Sequence, residues 1–176
     1  TLADAYFVGK WYIPLSNEVL PKINAAAQRA VALDDSMVYA HFVLAQSWSS
    51  AEDVAKSDQE TAKAKALDPN YPRLLHSQGI TQALEGKYDE GIRLMRQVQQ
   101  LDPLSLVVNT DVGYVYYIAR RYDEAIASYR SALTRDAKFS LAHLLLGLAL
   151  TQKGQHAEAI AEVQLASDRG SEYLAA

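Results

Sequence analysis

The 176-residue chain contains no cysteine, which excludes disulfides, thiolate metal sites and a cysteine nucleophile and leaves the redox compartment undecided. No stretch approaches the ~18 consecutive apolar residues of a membrane-crossing helix. Basic residues do not cluster beyond Arg120-Arg121, and the net charge is −4 with a pI of about 5.5. Binding to a nucleic-acid backbone, which calls for a basic face, is therefore not expected. The chain also lacks an HExxH pair, a Ser/His/Asp set and a close carboxylate couple, so catalysis by this segment is not expected. Gly79 to Lys87 fails as a phosphate loop. Six residues separate Gly79 from Gly86 where four are required, and Tyr88 stands where a magnesium-binding Ser or Thr belongs.

What the chain does have is a period. Apolar residues make up 49% and charged residues 22%, the balance of a folded protein. Aspartates recur at Asp34, Asp68, Asp102 and Asp136, and small residues at Ala45, Gly79, Gly113 and Gly147. Tyr88-Asp89-Glu90-Gly91-Ile92 returns as Tyr122-Asp123-Glu124-Ala125-Ile126 and again as His156-Ala157-Glu158-Ala159-Ile160. A 34-residue spacing at so many positions marks a helical repeat. Asp102 to Asp136 shows the unit best: a helix, a turn at Arg120-Arg121-Tyr122-Asp123, and a second helix, with Gly113 and Ala125 where the two touch closely. The expected units are 38–71, 72–105, 106–139 and 140–173, within one array over 1–176. Residues 1–37 read as an irregular partial unit. There Leu2-Ala3 and Tyr6 end one helix, a polar insert runs from Ile13 to Glu18, and Pro21 opens the next helix. The last helix is predicted from about His156 to Asp168, stopped by Gly170, with residues 174–176 beginning a further helix. Both ends then fall inside repeats, and the expectation is a fragment of a longer protein.

These residues resemble the tetratricopeptide repeat (TPR). Counting from Val38, Pro72, Leu106 and Ser140, the small residue of position 8 is Ala45, Gly79, Gly113 and Gly147. Position 20 is Ser57, Gly91, Ala125 and Ala159, position 27 is Ala64, Val98, Ala132 and Ala166, and the proline of position 32 is Pro69 and Pro103. The departures are Ala137 for that proline, Arg120 for a turn glycine, and His41, Leu75, Asn109 and His143 where the family often has Trp. The resemblance implies an all-α, right-handed α-solenoid of stacked antiparallel helix pairs, each burying its apolar stripe against its neighbours. It further resembles arrays found C-terminal to bacterial winged-helix regulators, class III nucleotide cyclases and Ser/Thr kinases.

In this family, positions 2, 5, 9 and 12 of each first helix line a concave face, and their 3–4 spacing puts them on one side of a helix. The candidate groove residues are Tyr39, Phe42 and Gln46; Arg73, His76 and Ile80; Thr110, Tyr114 and Tyr117; and Leu141, Leu144 and Leu148. With a single Arg, this stripe does not look like a carboxylate clamp. The alternative is that flanking units or a second copy cover it. Tyr116 is assigned to the core, and Tyr88 and Tyr122 are expected to wedge beneath the following helix. The aspartate row reads as turn residues, because equivalent positions in stacked units lie at least ~8–10 Å apart, too far for a shared metal. His41 and His143 share a repeat position and read as packing residues, His156 as a turn residue and His76 as a surface histidine on the inner face.

Together these point to a non-catalytic protein–protein interaction or regulatory module of a bacterial signalling or transcription-regulatory protein. It would hold an apolar or amphipathic peptide, a partner protein or another domain of the same chain, with no cofactor or metal, nucleic acid or membrane. Self-association through uncapped ends is expected to be open to it, with Ile160 and Val163 exposed. The competing reading is a structural spacer or oligomerisation segment of a multidomain enzyme. The expected compartment is the cytoplasm, with the periplasm left open.

Overall fold

A computed structural model describes the backbone of residues 19–175 and the side chains of residues 19–167. The expectations for Leu2 to Glu18 lie outside these residues. Among the described residues there are nine helices and no strand: α1 (Val19–Leu33), α2 (Val38–Ser50), α3 (Val54–Leu67), α4 (Pro72–Leu84), α5 (Tyr88–Leu101), α6 (Leu106–Ile118), α7 (Tyr122–Arg135), α8 (Ser140–Gln152) and α9 (His156–Ala175). The first helices of the pairs, α2, α4, α6 and α8, each have 13 residues, and α3, α5 and α7 each have 14. By its contacts the chain divides into two units, Thr1–Leu74 and Leu75–Ala176.

The period is written into two kinds of turn. Within each pair, one residue takes a left-handed backbone: Glu52 (φ 61°), Gly86 (83°), Arg120 (59°) and Gly154 (73°). At Arg120 the turn closes with Arg120 N donating to the Tyr117 carbonyl and Arg121 N to the Tyr116 carbonyl, both at 2.9 Å, the two bonds of a Schellman motif. The same two bonds recur at the other three turns. An L-residue pays about 1–2 kcal/mol for this backbone, and the helix-end carbonyls it satisfies offset that cost. Between pairs, the backbone carbonyls of Asp34, Asp68, Asp102 and Asp136 each accept from the amide three residues on. The carboxylates of Asp34, Asp68 and Asp136 also accept the amide two residues on, at 2.8–2.9 Å. The aspartate row therefore builds turns, as its placement predicts.

In the first unit, Ile23 and Ala27 of α1 meet Phe42, Val43 and Leu44 of α2, Ala64 of α3 and Leu74. The Phe42 ring sits edge-on to Tyr71, 5.9 Å between centroids. In the second unit, the main core draws on α4 to α9, including Ile80, Met95, Val112, Tyr129, Leu146 and Ala159. Small residues set its close contacts. A Cβ on Gly113 would lie 2.5 Å from Tyr129 Cε1, one on Gly91 2.7 Å from the Gly79 carbonyl, and one on Gly147 2.7 Å from Val163 Cγ2. Gly113 thus meets the Tyr129 ring of α7, and Ala125 is fully buried, in keeping with close contact of the two helices at these small residues.

Three local expectations are corrected. The last helix does not stop before Gly170: α9 runs unbroken from His156 to Ala175, so residues 174–175 belong to it and do not start a further helix. The 34-residue series puts Gly170 where the other units have the aspartate that builds the turn, and one helical glycine costs only about 1 kcal/mol. Second, His156 and Tyr122 are the first residues of helices, not turn residues. Third, Tyr88 is 44% exposed, so its ring is not covered by the following helix; Tyr122 is half-buried and meets Tyr117 of the preceding helix edge-on. α3 packs weakly: of its apolar residues Ala55, Ala62, Ala64, Ala66 and Leu67, only Ala64 is buried.

Only Glu60 and Ala64 are buried in α3, against Ala125, Ile126, Tyr129 and Ala132 in α7. Stability in stacked repeats is local. Amide exchange is expected to be faster over Val54–Ala66 than over Tyr122–Leu133; equal or reversed protection in native-state exchange would contradict it.

Candidate interaction surface

The inner stripe separates into buried and open residues once packing is seen. Phe42 is 2% exposed, His76 4%, Ile80 2% and Thr110 0%. These four belong to the interior and are not available at a groove. The correction has a repeat-wide pattern. Position 5 is buried at Phe42, His76 and Thr110, but its equivalent Leu144 is 41% exposed. At position 9, Ile80 is buried while Leu148 is 43% exposed. In the second unit the cause is the neighbouring first helix. Asp111 of α6 reaches His76 of α4 at 2.7 Å, and α6 also touches α8. Helical spacing places positions 5 and 9 on the inner side; stacking decides that this edge is the one the next unit covers.

What stays open in the second unit is uncharged. Tyr114, Tyr117 and Leu141 are half-buried and rest against the main core, with Leu144 and Leu148 beside them on α8. The Tyr117 ring is held edge-on to Tyr122 at 5.6 Å. Apart from His143, which is buried against Glu162, α8 has no ionisable side chain, and α6 has only Asp111, paired inside with His76. Burial, followed by the charges of Asp111 and Tyr117, raises the Tyr114 pKa above the ordinary phenol value, so its hydroxyl keeps its proton at neutral pH. In the first unit, Tyr39, Gln46 and Arg73 are half-buried, and the Arg73 guanidinium lies 5.5 Å from the centre of the Tyr39 ring. The one cation of the predicted stripe is thereby stacked on an aromatic face.

α9 also exposes apolar side chains: Ile160 is 60% exposed, Val163 39% and Leu165 38%. Ile126, the equivalent of Ile160 one unit earlier, is 6% exposed.

Sequence reasoning missed three histidine–carboxylate contacts in the interior. His41 Nδ1 lies 2.6 Å from Glu60, His143 Nδ1 2.5 Å from Glu162, and His76 Nε2 2.7 Å from Asp111. His41 and His143 are buried, as their shared repeat position predicts, while His76 is not the surface residue expected. Two of the pairs did leave a trace, because each His is followed by a Glu 19 residues on. The His76–Asp111 pair joins different repeats and left none.

No described helix is long and apolar enough to cross a membrane. The tetratricopeptide-repeat profile matches residues 78–138 and 110–173. Anaphase-promoting complex subunit 3 of Schizosaccharomyces pombe is 24% identical over 136 residues, which cover 77% of this chain and 20% of that protein. The chain thus spans about a fifth of the length of this relative. Among solved structures, PilF of Pseudomonas aeruginosa superposes with a TM-score of 0.71 at 20% identity, over 96% of this chain and 76% of the other. A MamA structure (AMB-1) gives 0.68 at 19% identity over 97% and 96% of the two chains. At such identity these likenesses speak for the fold alone, which is the all-α solenoid of stacked antiparallel pairs that the repeat implies. With the profile covering more than half of the chain, and with turns, small residues and helix pairs all in the 34-residue register, the protein belongs to the tetratricopeptide repeat family.

Proposed function

We propose that the chain is a non-catalytic interaction module and that its second unit receives the apolar face of an amphipathic helix from a partner protein or another domain. The observation that carries this reading is the uncharged surface of Tyr114, Tyr117, Leu141, Leu144 and Leu148. Tetratricopeptide repeats in general mediate protein–protein contacts. A surface without cations cannot repay the desolvation of an acidic tail, whereas aromatic and leucine side chains give large contact area at little rotamer cost. A helical occupant is favoured over an extended one because the edge that is open at Leu144 and Leu148 is, one unit earlier, an edge that meets a helix, α8. The same comparison favours a second reading, in which a further helix of the same polypeptide lies there and the segment is a structural spacer. A bacterial signalling or transcription-regulatory parent belongs to this proposal as its wider setting, resting on the likeness of the Asp102–Asp136 unit.

The test is a partner captured with the chain and titrated against variants. Leu148→Glu and Tyr117→Ala are each expected to weaken binding at least tenfold, with little dependence on salt and unchanged helix content. Tyr116→Ala is expected to destabilise the fold instead, since that ring is 9% exposed and lies under the Arg121 guanidinium. Affinity that collapses between low and physiological salt would refute the apolar surface.

A further inference from the structure

His41 and His143 hold the fourth position of their repeats, and each ring ties together three segments. In α2, His41 Nδ1 faces Glu60 of α3, and Nε2 lies 2.9 Å from the backbone carbonyl of Asp35 in the α1–α2 turn. In α8, His143 Nδ1 faces Glu162 of α9, and Nε2 lies 3.0 Å from the Ala137 carbonyl. A carboxylate and a carbonyl only accept, so the ring that satisfies both donates from both nitrogens. The other two repeats fill the place without a titratable group. Leu75 and Leu94 pack together in a small buried cluster. Asn109 Nδ2 donates at 3.1 Å to the carbonyl of Pro103, which stands in register with Asp35 and Ala137. In that repeat Ser128 replaces the glutamate.

We propose that His41 is a proton-dependent staple, which fastens the turn at 34–37 to α2 and α3 while doubly protonated and releases that turn when it gives up one proton. The bond that is lost follows from acceptor strength. The anionic Glu60 holds the remaining N–H more strongly than a neutral carbonyl does, so the Asp35 carbonyl is let go. The charges that face the ring are Glu60 from α3 and Asp35 from the turn, whose Oδ1 is 3.3 Å from Nε2; Lys63 of α3 backs Glu60 at 3.0 Å. Burial pushes the His41 pKa down, but the hydrogen bonds to Glu60 and the Asp35 carbonyl, with the charges of both acids, outweigh it and raise the pKa above the ordinary 6.5. Burial pushes Glu60 up, and the bonds from His41 and Lys63 with their charges outweigh it, leaving the pKa below the ordinary 4.5. The histidine contribution is therefore complete below 6.5 and fades as pH rises through the raised folded value. The glutamate contribution is complete above 4.5 and fades as pH falls through the lowered one. Between those two folded values the staple is whole.

The test uses the full chain. Ring titration of His41 by nuclear magnetic resonance is paired with exchange at the Met37, Ala40 and His41 amides, corrected for intrinsic base catalysis. The opening constant of the turn is expected to be flat below 6.5, to rise by up to tenfold per pH unit between 6.5 and the ring's own raised titration, and to level off above it. The double variant H41N/E60S, which copies Asn109 and Ser128 of the 106–139 repeat, is expected to give a flat profile. A ring that titrates at or below the ordinary value overturns the proposal, as does a flat wild-type profile or an equal slope in the variant. Should the variant not fold, the wild-type titration alone decides.

Discussion

Gly113→Leu should destabilise the second unit by about 1–3 kcal/mol or more, the cost of forcing atoms into a filled core. A Cβ at this position would already lie 2.5 Å from Tyr129 Cε1 and 2.8 Å from Cδ1, and the Tyr129 ring is fully buried. Leucine regains about 1 kcal/mol of helix propensity over glycine, too little to offset the clash. Gly79→Ala is expected to cost less, because the nearest atoms there are Cγ and Sδ of the flexible Met95 side chain. The measurement is urea unfolding with a double-mutant cycle. Tyr129→Ala alone should cost about 3–5 kcal/mol as a large buried ring is deleted. In the Gly113→Leu background it should cost less, since the leucine occupies the vacated space, with a coupling of about 0.5–3 kcal/mol. Simple additivity would mean that the two residues do not share that space.

The second large effect concerns His76, which the inner-stripe pattern assigns to a groove and the packing assigns to the interior. Its side chain and that of Asp111 are 5% and 7% exposed, with 2.7 Å between Nε2 and Oδ2. His76→Leu should destabilise the fold by about 3–5 kcal/mol, because the Asp111 carboxylate then stays buried without this donor. The double variant His76→Leu/Asp111→Leu should recover most of the loss, since an apolar pair of similar volume carries no desolvation cost. Leu75 and Leu94 already fill another part of the same unit in that way. Wild-type stability in His76→Leu, together with weaker partner binding, would return the residue to a groove role.

The outcome at the groove positions shows where sequence periodicity loses its reach. Phe42, His76, Ile80 and Thr110 share a helical side with Tyr114, Tyr117, Leu144 and Leu148, and a 3–4 spacing cannot distinguish them. In the second unit their burial differs because α6 lies against α4 and α8 against α6 along one edge of that side, while Phe42 is buried in the first unit's own cluster, against Tyr71. Polar character misleads for a related reason. A histidine or an aspartate reads as exposed until its partner is known, and the partners of His41, His76 and His143 lie 19, 35 and 19 residues away.

The sequence by itself determined the helices and their register. Asp34, Asp68, Asp102 and Asp136 form turns by bonding to the amide three residues on, and all but Asp102 also to the amide two residues on; such local geometry needs no distant partner. Gly86 and Gly154 mark the left-handed turn position, and the repeat carries it onto Glu52 and Arg120, where no glycine advertises it. Small residues at Gly79, Gly113 and Gly147 foretell close helix contact. Only the tertiary structure decided which atoms fill each contact, as Tyr129 does for Gly113, and which polar groups pair inside. It also decided which inner residues stay open to a partner. Each of these depends on the stacking of one helix pair on the next, and the pattern within a single pair does not contain it.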